Sequence, residues 1–323
     1  MGSCGQTYAD VLRQADEAEA FGFERIVLAE RHFRHGSLLC PSPFAIAAAI
    51  AARTTRIRIG VFGRVLALDH PIHLAEDAAT VDVLSHGRFD FGVARASLDE
   101  ESHRVFESPL SDSEARFDEA LDVILTAWTS DSFAHDGAHY SLPQLSVFPR
   151  PVQQPHPPVF VVAVSEERLD YAASRGHGAV LSAIGPPAKV AAARERYESA
   201  RAAPANGELQ LNRFVHVAES DQAARDELMG PFTTFIEQHA PDLRAALEQR
   251  NGGRVPTFDR MVEDFLVVGS PETVARRLAD LRQETGITSV LVTLNFATLD
   301  QASAFRSQAL FGREVLPALA AAG

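Results

Sequence analysis

Three groups of residues in this chain have types and spacings that could do chemistry. The first is Glu30-Arg31-His32, a carboxylate, a guanidinium and an imidazole in succession. Histidine titrates near neutrality and is the usual group for moving a proton. His32 read alone is either a hydrogen-bonded structural histidine or such a group, and its place after an apolar run favours the second. The next is Arg95, a lone cation between Ala94 and Ala96 at the end of the alternating run 89–94. A guanidinium with small neighbours suits a phosphate, and a salt bridge to a surface carboxylate is the competing reading. The last is Val164-Ser165-Glu166-Glu167-Arg168. Ser165 can cap a helix whose first N–H groups then face an anion, and Arg168, one turn in, adds charge. Arg95 and this helix start would together form a phosphate cradle.

Positioning these groups requires strands that end where they begin. Apolar runs predict strands at 25–29, 57–62, 89–94, 158–163, 179–182, 209–217 and 289–294. Between them, helical spacing is clearest over 8–21, 44–52, 71–84, 113–128 and 165–174, with a helix closing the chain. Alternating βα units with continuous apolar strands imply a parallel sheet covered by helices. A TIM-type (β/α)8 barrel is the natural closed form at 323 residues, in one domain over 1–323. The strand expected before the first helix is truncated or missing, or residues 1–6 are its remnant. Ligands of such barrels sit at the carboxyl ends of strands. Those ends carry Glu30-Arg31-His32, Phe62-Gly63-Arg64, Arg95 and Ser165. Two long insertions, 133–158 and 231–264, are either functional loops or solvated decoration, and the second is expected to act as a lid.

Several function classes are excluded as main readings. A formal charge of −13 argues against nucleic acid or anionic membrane as a partner. The two cysteines, Cys4 and Cys40, have no metal or redox spacing, so a reducing cytoplasm is expected. No apolar run is long enough to cross a bilayer, and no export signal is expected at the first residues. His135 and His139 are four apart, but the turn-like Asp136-Gly137 between them argues against a metal site. A glycine-rich dinucleotide fingerprint, a phosphate-binding loop and a Gly-x-Ser-x-Gly elbow are all missing.

Taken together, the segments resemble the bacterial luciferase-like flavin monooxygenases over nearly the whole chain. The likeness is carried by Ala20-Phe21-Gly22-Phe23, Ala29-Glu30-Arg31-His32-Phe33, Asp69-His70-Pro71-Ile72-His73-Leu74-Ala75-Glu76-Asp77, the run from Leu84 to Arg95, the segment from Pro149 to Pro158, and Val268-Gly269-Ser270-Pro271-Glu272-Thr273-Val274. The resemblance implies a barrel that binds reduced FMN supplied by a separate flavin reductase. It implies that O2 adds to the flavin and that the resulting peroxyflavin oxidises a small or medium organic substrate. It further implies a homodimer. By position, Arg95 would hold the FMN phosphate with Ser165, Arg168 and the backbone around Val164, and Arg116 would be an additional contact. Phe62-Gly63 falls where the family has a non-proline cis peptide beneath the flavin. Ala94 replaces a cysteine near the reactive carbon, which leaves room for oxygen or substrate. The family's Glu-His-His is here Glu30-Arg31-His32. Arginine cannot accept a proton near neutrality, so either His32 takes that role or Arg31 stabilises an anion. Light emission from an aldehyde is therefore not expected to carry over. Two other readings fit the same fold. One is a deazaflavin (F420)-dependent oxidoreductase, which the longer cofactor tail disfavours; the other is a non-catalytic flavin-binding partner subunit, which Arg95 disfavours.

Overall fold

The computed structural model describes residues 4–33, 39–94, 100–182, 184–202 and 207–322. They fall into two compact units, one over 24–33 and 39–162, the other over 4–23 and 163–322.

The first unit is a parallel sheet of β1 (Arg25–Ala29), β2 (Arg58–Val65), β3 (Phe89–Ala94) and, after the antiparallel hairpin β4 (Phe133–Asp136) and β5 (Ser141–Leu145), β6 (Val159–Ala163). The register pairs Ile26 with Ile59, Ile59 with Phe89, and Phe91 with Val159. Helices Pro43–Ala51, Pro71–Leu84 and Ser113–Thr129 each bury a face of small and branched residues. Two of them begin with proline at the first turn, where its missing N–H costs nothing.

The run 82–91 proves to be a structural bracket at the start of β3. Ser85 closes the helix Pro71–Leu84. Arg88 donates to the carbonyls of Ser85, Ile57, Ala51 and Thr54, which ties a helix end to a strand entry. Asp90 is wholly buried and accepts from Arg25 and Arg58. Asp82 accepts the N–H groups of Val152 and Gln153.

In the second unit, β8 (Leu209–Val217) lies parallel to β7 (Gly178–Leu181), β9 (Val267–Gly269) and β10 (Ser289–Thr293). Its helices include Cys4–Phe21, Glu166–Ser174, Pro187–Ala200, Asp221–Gln238 and Pro271–Thr285. A second core of Phe214, Phe232, Phe235 and Phe296 rings packs largely edge to face. Among the described residues no helix is long and apolar enough to cross a membrane.

All seven expected strands are present, so the parallel α/β reading holds. Four details differ. Residues 4–6 are helical, not a strand remnant, because the helix Cys4–Phe21 extends back over them. Segment 133–158 contains the hairpin β4–β5, whose turn is clasped by Glu119, the acceptor of the His139 and Tyr140 N–H groups. Segment 231–264 is not a loop: Pro231 lies inside Asp221–Gln238, followed by Pro241–Arg250 and Phe258–Asp264. Phe232, Phe235, Leu247, Phe258 and Met261 are buried in the phenylalanine core, so the expected lid is part of the packed unit. Finally, the Phe62–Gly63 peptide is not cis; among the described residues the cis bonds are Phe148–Pro149 and Gln154–Pro155. Gly63 instead takes φ +79°, and the β2–β3 register shifts between Val61 and Arg64. Glycine accepts this left-handed conformation without strain, and the resulting bulge does the turning.

Candidate active site

The bulge at Gly63 decides what faces the carboxyl ends of β1 and β2. An extra residue breaks the two-residue alternation, so Phe62, Arg64 and Val65 are all buried. Phe62 fits because Gly92 leaves room: a Cβ on Gly92 would stand 2.6 Å from the Phe62 Cα. The Phe62 ring stacks on Phe160 at 4.9 Å between centroids.

Glu30, the first residue after β1, is 4% exposed and is the hub of the site. Its Oε2 accepts the Val65 N–H at 2.9 Å. Its Oε1 faces His32 Nε2 at 2.6 Å and accepts a hydrogen bond from Arg64 Nη1. Arg64 donates its other terminal nitrogen to Asp69 Oδ2 at 2.6 Å. A guanidinium can bridge two carboxylates in this way because its donors form a rigid planar fork. The expected trio Glu30-Arg31-His32 is therefore only partly a unit. Arg31 is exposed and donates from Nη1 to the Glu30 backbone carbonyl at 2.8 Å, while Arg64 serves the Glu30 carboxylate. Arg64 stands behind the second strand and Asp69 in a family segment, and no role for either is legible in the sequence. The one local signal was Gly63, a glycine inside a strand pattern, which marks a bulge.

Aromatic rings flank the imidazole. Phe106 meets His32 edge-on at 4.8 Å, Phe33 lies 5.9 Å away, and the two phenylalanines stack at 6.1 Å. Phe33 and Phe106 are 47% and 41% exposed, so an apolar face is open beside the imidazole.

Cys40 lies opposite Arg31 across an isolated bridge. Burial and the nearby Glu30 charge push its thiol up to about 11, against a smaller opposing pull from Arg31. Thiolate is the reactive form, so Cys40 is expected to be nearly inert at pH 8. In a Cys4→Ser variant, labelling by a disulfide reagent is expected to run about a hundredfold slower than for an ordinary thiol of pKa ~8.5. Labelling at the rate of a free thiol would contradict the buried environment.

The remaining candidates are placed as follows. Ala94 is the half-buried last residue of β3. Arg95 lies outside the described residues, and with it the expected convergence on Ser165. Ser165 does cap the helix Glu166–Ser174, accepting the Arg168 N–H at 3.3 Å, and Val164 before it is 72% exposed. Glu166 and Glu167 occupy the first turn, and Glu166 pairs with Arg196. Arg168 is buried, its guanidinium 5.3 Å over the Tyr171 ring. Arg116 stands close enough to Tyr140 for its charge to pull down a phenol that burial pushes up. His135 bonds Glu119 at 3.0 Å on the hairpin rather than standing on a helix with His139. A buried cation that sequence reading did not single out is Arg213 on β8, drawn down to about 10 by burial, with Nη2 on the Gly185 carbonyl at 3.0 Å. Alternation in an apolar strand gave no sign of it.

The luciferase-like monooxygenase family model matches residues 1–289. The oxygenase component of a flavin-dependent trigonelline monooxygenase from Acinetobacter baylyi is 31% identical over 172 residues, 53% of this chain and 47% of that protein. The crystal structure of monooxygenase RslO1 from Streptomyces bottropensis matches with TM-score 0.83 at 26% identity, over 98% of this chain and 94% of that one. The oxygenating constituent of 3,6-diketocamphane monooxygenase from Pseudomonas putida, solved with FMN, shares the fold with TM-score 0.83 at 21% identity, over 98% and 94%. With a family model spanning most of its length and a matching fold, the chain belongs to the luciferase-like monooxygenases.

Proposed function

We propose that this protein is the oxygenase component of a two-component monooxygenase, taking reduced FMN from a separate reductase and using O2 to oxidise a small or medium apolar organic molecule. The observation that carries this reading is the Glu30–His32 pair at the mouth of β1, beside the open Phe33–Phe106 face. Family membership and an FMN-bound relative of the same fold support a flavin as its cofactor.

The residues present fit such a group. Each unit, taken by itself, carries a suitable feature: in the first, Ala94 offers only a methyl at the end of β3, and in the second the exposed Ser165-capped helix start has first-turn N–H groups suited to a phosphate. Arg95 would bind the phosphate as a charge-assisted partner. Reduced flavin, when bound, supplies the two electrons that activate O2. The protein does the rest: His32 holds and moves a proton, Glu30 orients the His32 ring, and the aromatic face gives an apolar substrate a surface beside it.

Arg95→Ala is expected to weaken reduced-FMN binding by about 1.5–3 kcal/mol, the usual worth of a charge-assisted bond. Anaerobic titration measures it, and unchanged affinity would contradict the assignment. Titrating the wild type with reduced FMN and with a reduced deazaflavin, then admitting O2, tests the reaction class. FMN binding followed by oxygen-dependent product supports the oxygenase. Deazaflavin binding with hydride transfer indifferent to O2 replaces it.

A further inference from the structure

We propose that Arg64 and Asp69 are positioning residues that fix the ring orientation and tautomer of His32, which leaves Nδ1 as its proton-handling atom. The role in catalysis rests on the function proposed above; the tautomer itself does not.

Glu30 takes the Val65 N–H on Oε2, and Arg64 and the His32 ring on Oε1. A carboxylate in this setting accepts only, so His32 Nε2 must be the nitrogen that carries hydrogen. In the neutral ring the lone pair then belongs to Nδ1. Had the Glu30 carboxylate been free to swing, either nitrogen could serve. It is not free. Arg64 is 8% exposed, and its terminal nitrogens are spread between Glu30 and Asp69. Asp69 is anchored in turn by the His70 backbone N–H at 2.6 Å. The result is a relay of fixed contacts from the partly exposed Asp69 through Arg64 and Glu30 to His32. Arg64 bonds the same Glu30 oxygen as the imidazole and Asp69 bonds Arg64, so both act on the ring through Glu30.

The same geometry separates the two cations near the site. Arg31 donates to the Glu30 backbone carbonyl. Arg64, thirty-four residues from Glu30 in sequence, donates to its carboxylate. The Phe106 ring edge against the imidazole restricts the ring from another side, which sharpens the aim of Nδ1.

The test uses cofactor-free protein labelled with nitrogen-15 histidine, with His32 assigned by its disappearance in His32→Gln. At a pH where the ring is neutral, wild type is expected to show the Nε2–H tautomer. Arg64→Gln is expected to give a tautomer mixture, and kcat to fall at least about tenfold with reduced-FMN Kd unchanged within about twofold. Arg64→Lys, which returns a cation to Glu30, is expected to restore the wild-type tautomer. If Arg64→Gln does not fold, Asp69→Asn is expected to shift the tautomer ratio in the same direction by less, because it loosens Arg64 without removing it. An Nδ1–H tautomer in wild type overturns the proposal, as does an Arg64→Gln variant with unchanged tautomer and kcat. The spectroscopic readout needs no flavin. A wild-type protein with the Nε2–H tautomer but no oxygenase activity would therefore remove the proposed function and leave the positioning intact.

Discussion

His32→Ala is expected to cut substrate turnover by about 10²–10⁴-fold, the range for a positioned acid–base group, while reduced-FMN affinity stays within about twofold. The separation follows from geometry. The imidazole faces the Glu30 carboxylate at 2.6 Å and two phenylalanine rings, so its loss removes a proton carrier without removing an anion-binding group. Steady-state rates with saturating reduced flavin, paired with an anaerobic titration, measure both effects. Equal losses in turnover and affinity would place His32 at the cofactor and sink its proton role. Glu30 is the less informative position to mutate, because truncating it also strands Arg64 and the Val65 N–H.

Asp90→Ala is expected to lower folding stability by roughly 3 kcal/mol, towards the lower end of what breaking a buried ion pair costs. Asp90 is completely buried and accepts from Arg25 Nε at 2.6 Å and from Arg58 Nε at 3.1 Å. Removing it takes the carboxylate from the guanidinium of Arg25, whose side chain is 14% exposed and lies 5.3 Å over the Phe160 ring. The lower end applies because the Arg58 side chain is 32% exposed, so water screens its share, and it keeps the Phe89 carbonyl and Gln153 as partners. Urea unfolding measures the change. A shift below about 1 kcal/mol would show that the bracket around β3 is decorative. Because the site at β1 and β2 is held by the same sheet, partial loss of activity at the unfolding edge is expected to track stability rather than chemistry.

Much of the architecture was legible in the chain. Apolar runs such as Ile59–Phe62 and Phe89–Val93 are buried on both faces, so their composition reports a covered parallel sheet directly. Helix starts were readable where a side chain closes its own backbone, as Ser165 does for Glu166–Ser174, because capping is local. The helices of 231–264 were hidden for the opposite reason. Their glycine, proline and charge content has little helical periodicity, and it is burial of Phe232, Phe235, Leu247, Phe258 and Met261 in a shared core that holds them.

The site divides along the same line. Residue identity alone places a carboxylate and an imidazole two positions apart after β1; their contact is made once Val65 and Arg64 hold the carboxylate. Which cation serves that carboxylate was beyond the sequence. Arg31 is adjacent and Arg64 distant, yet strand pairing β1–β2 and the bulge at Gly63 bring the distant one in. Backbone pairing between separated strands, and one residue's slip in their register, are long-range outcomes of packing, and no local pattern encodes them.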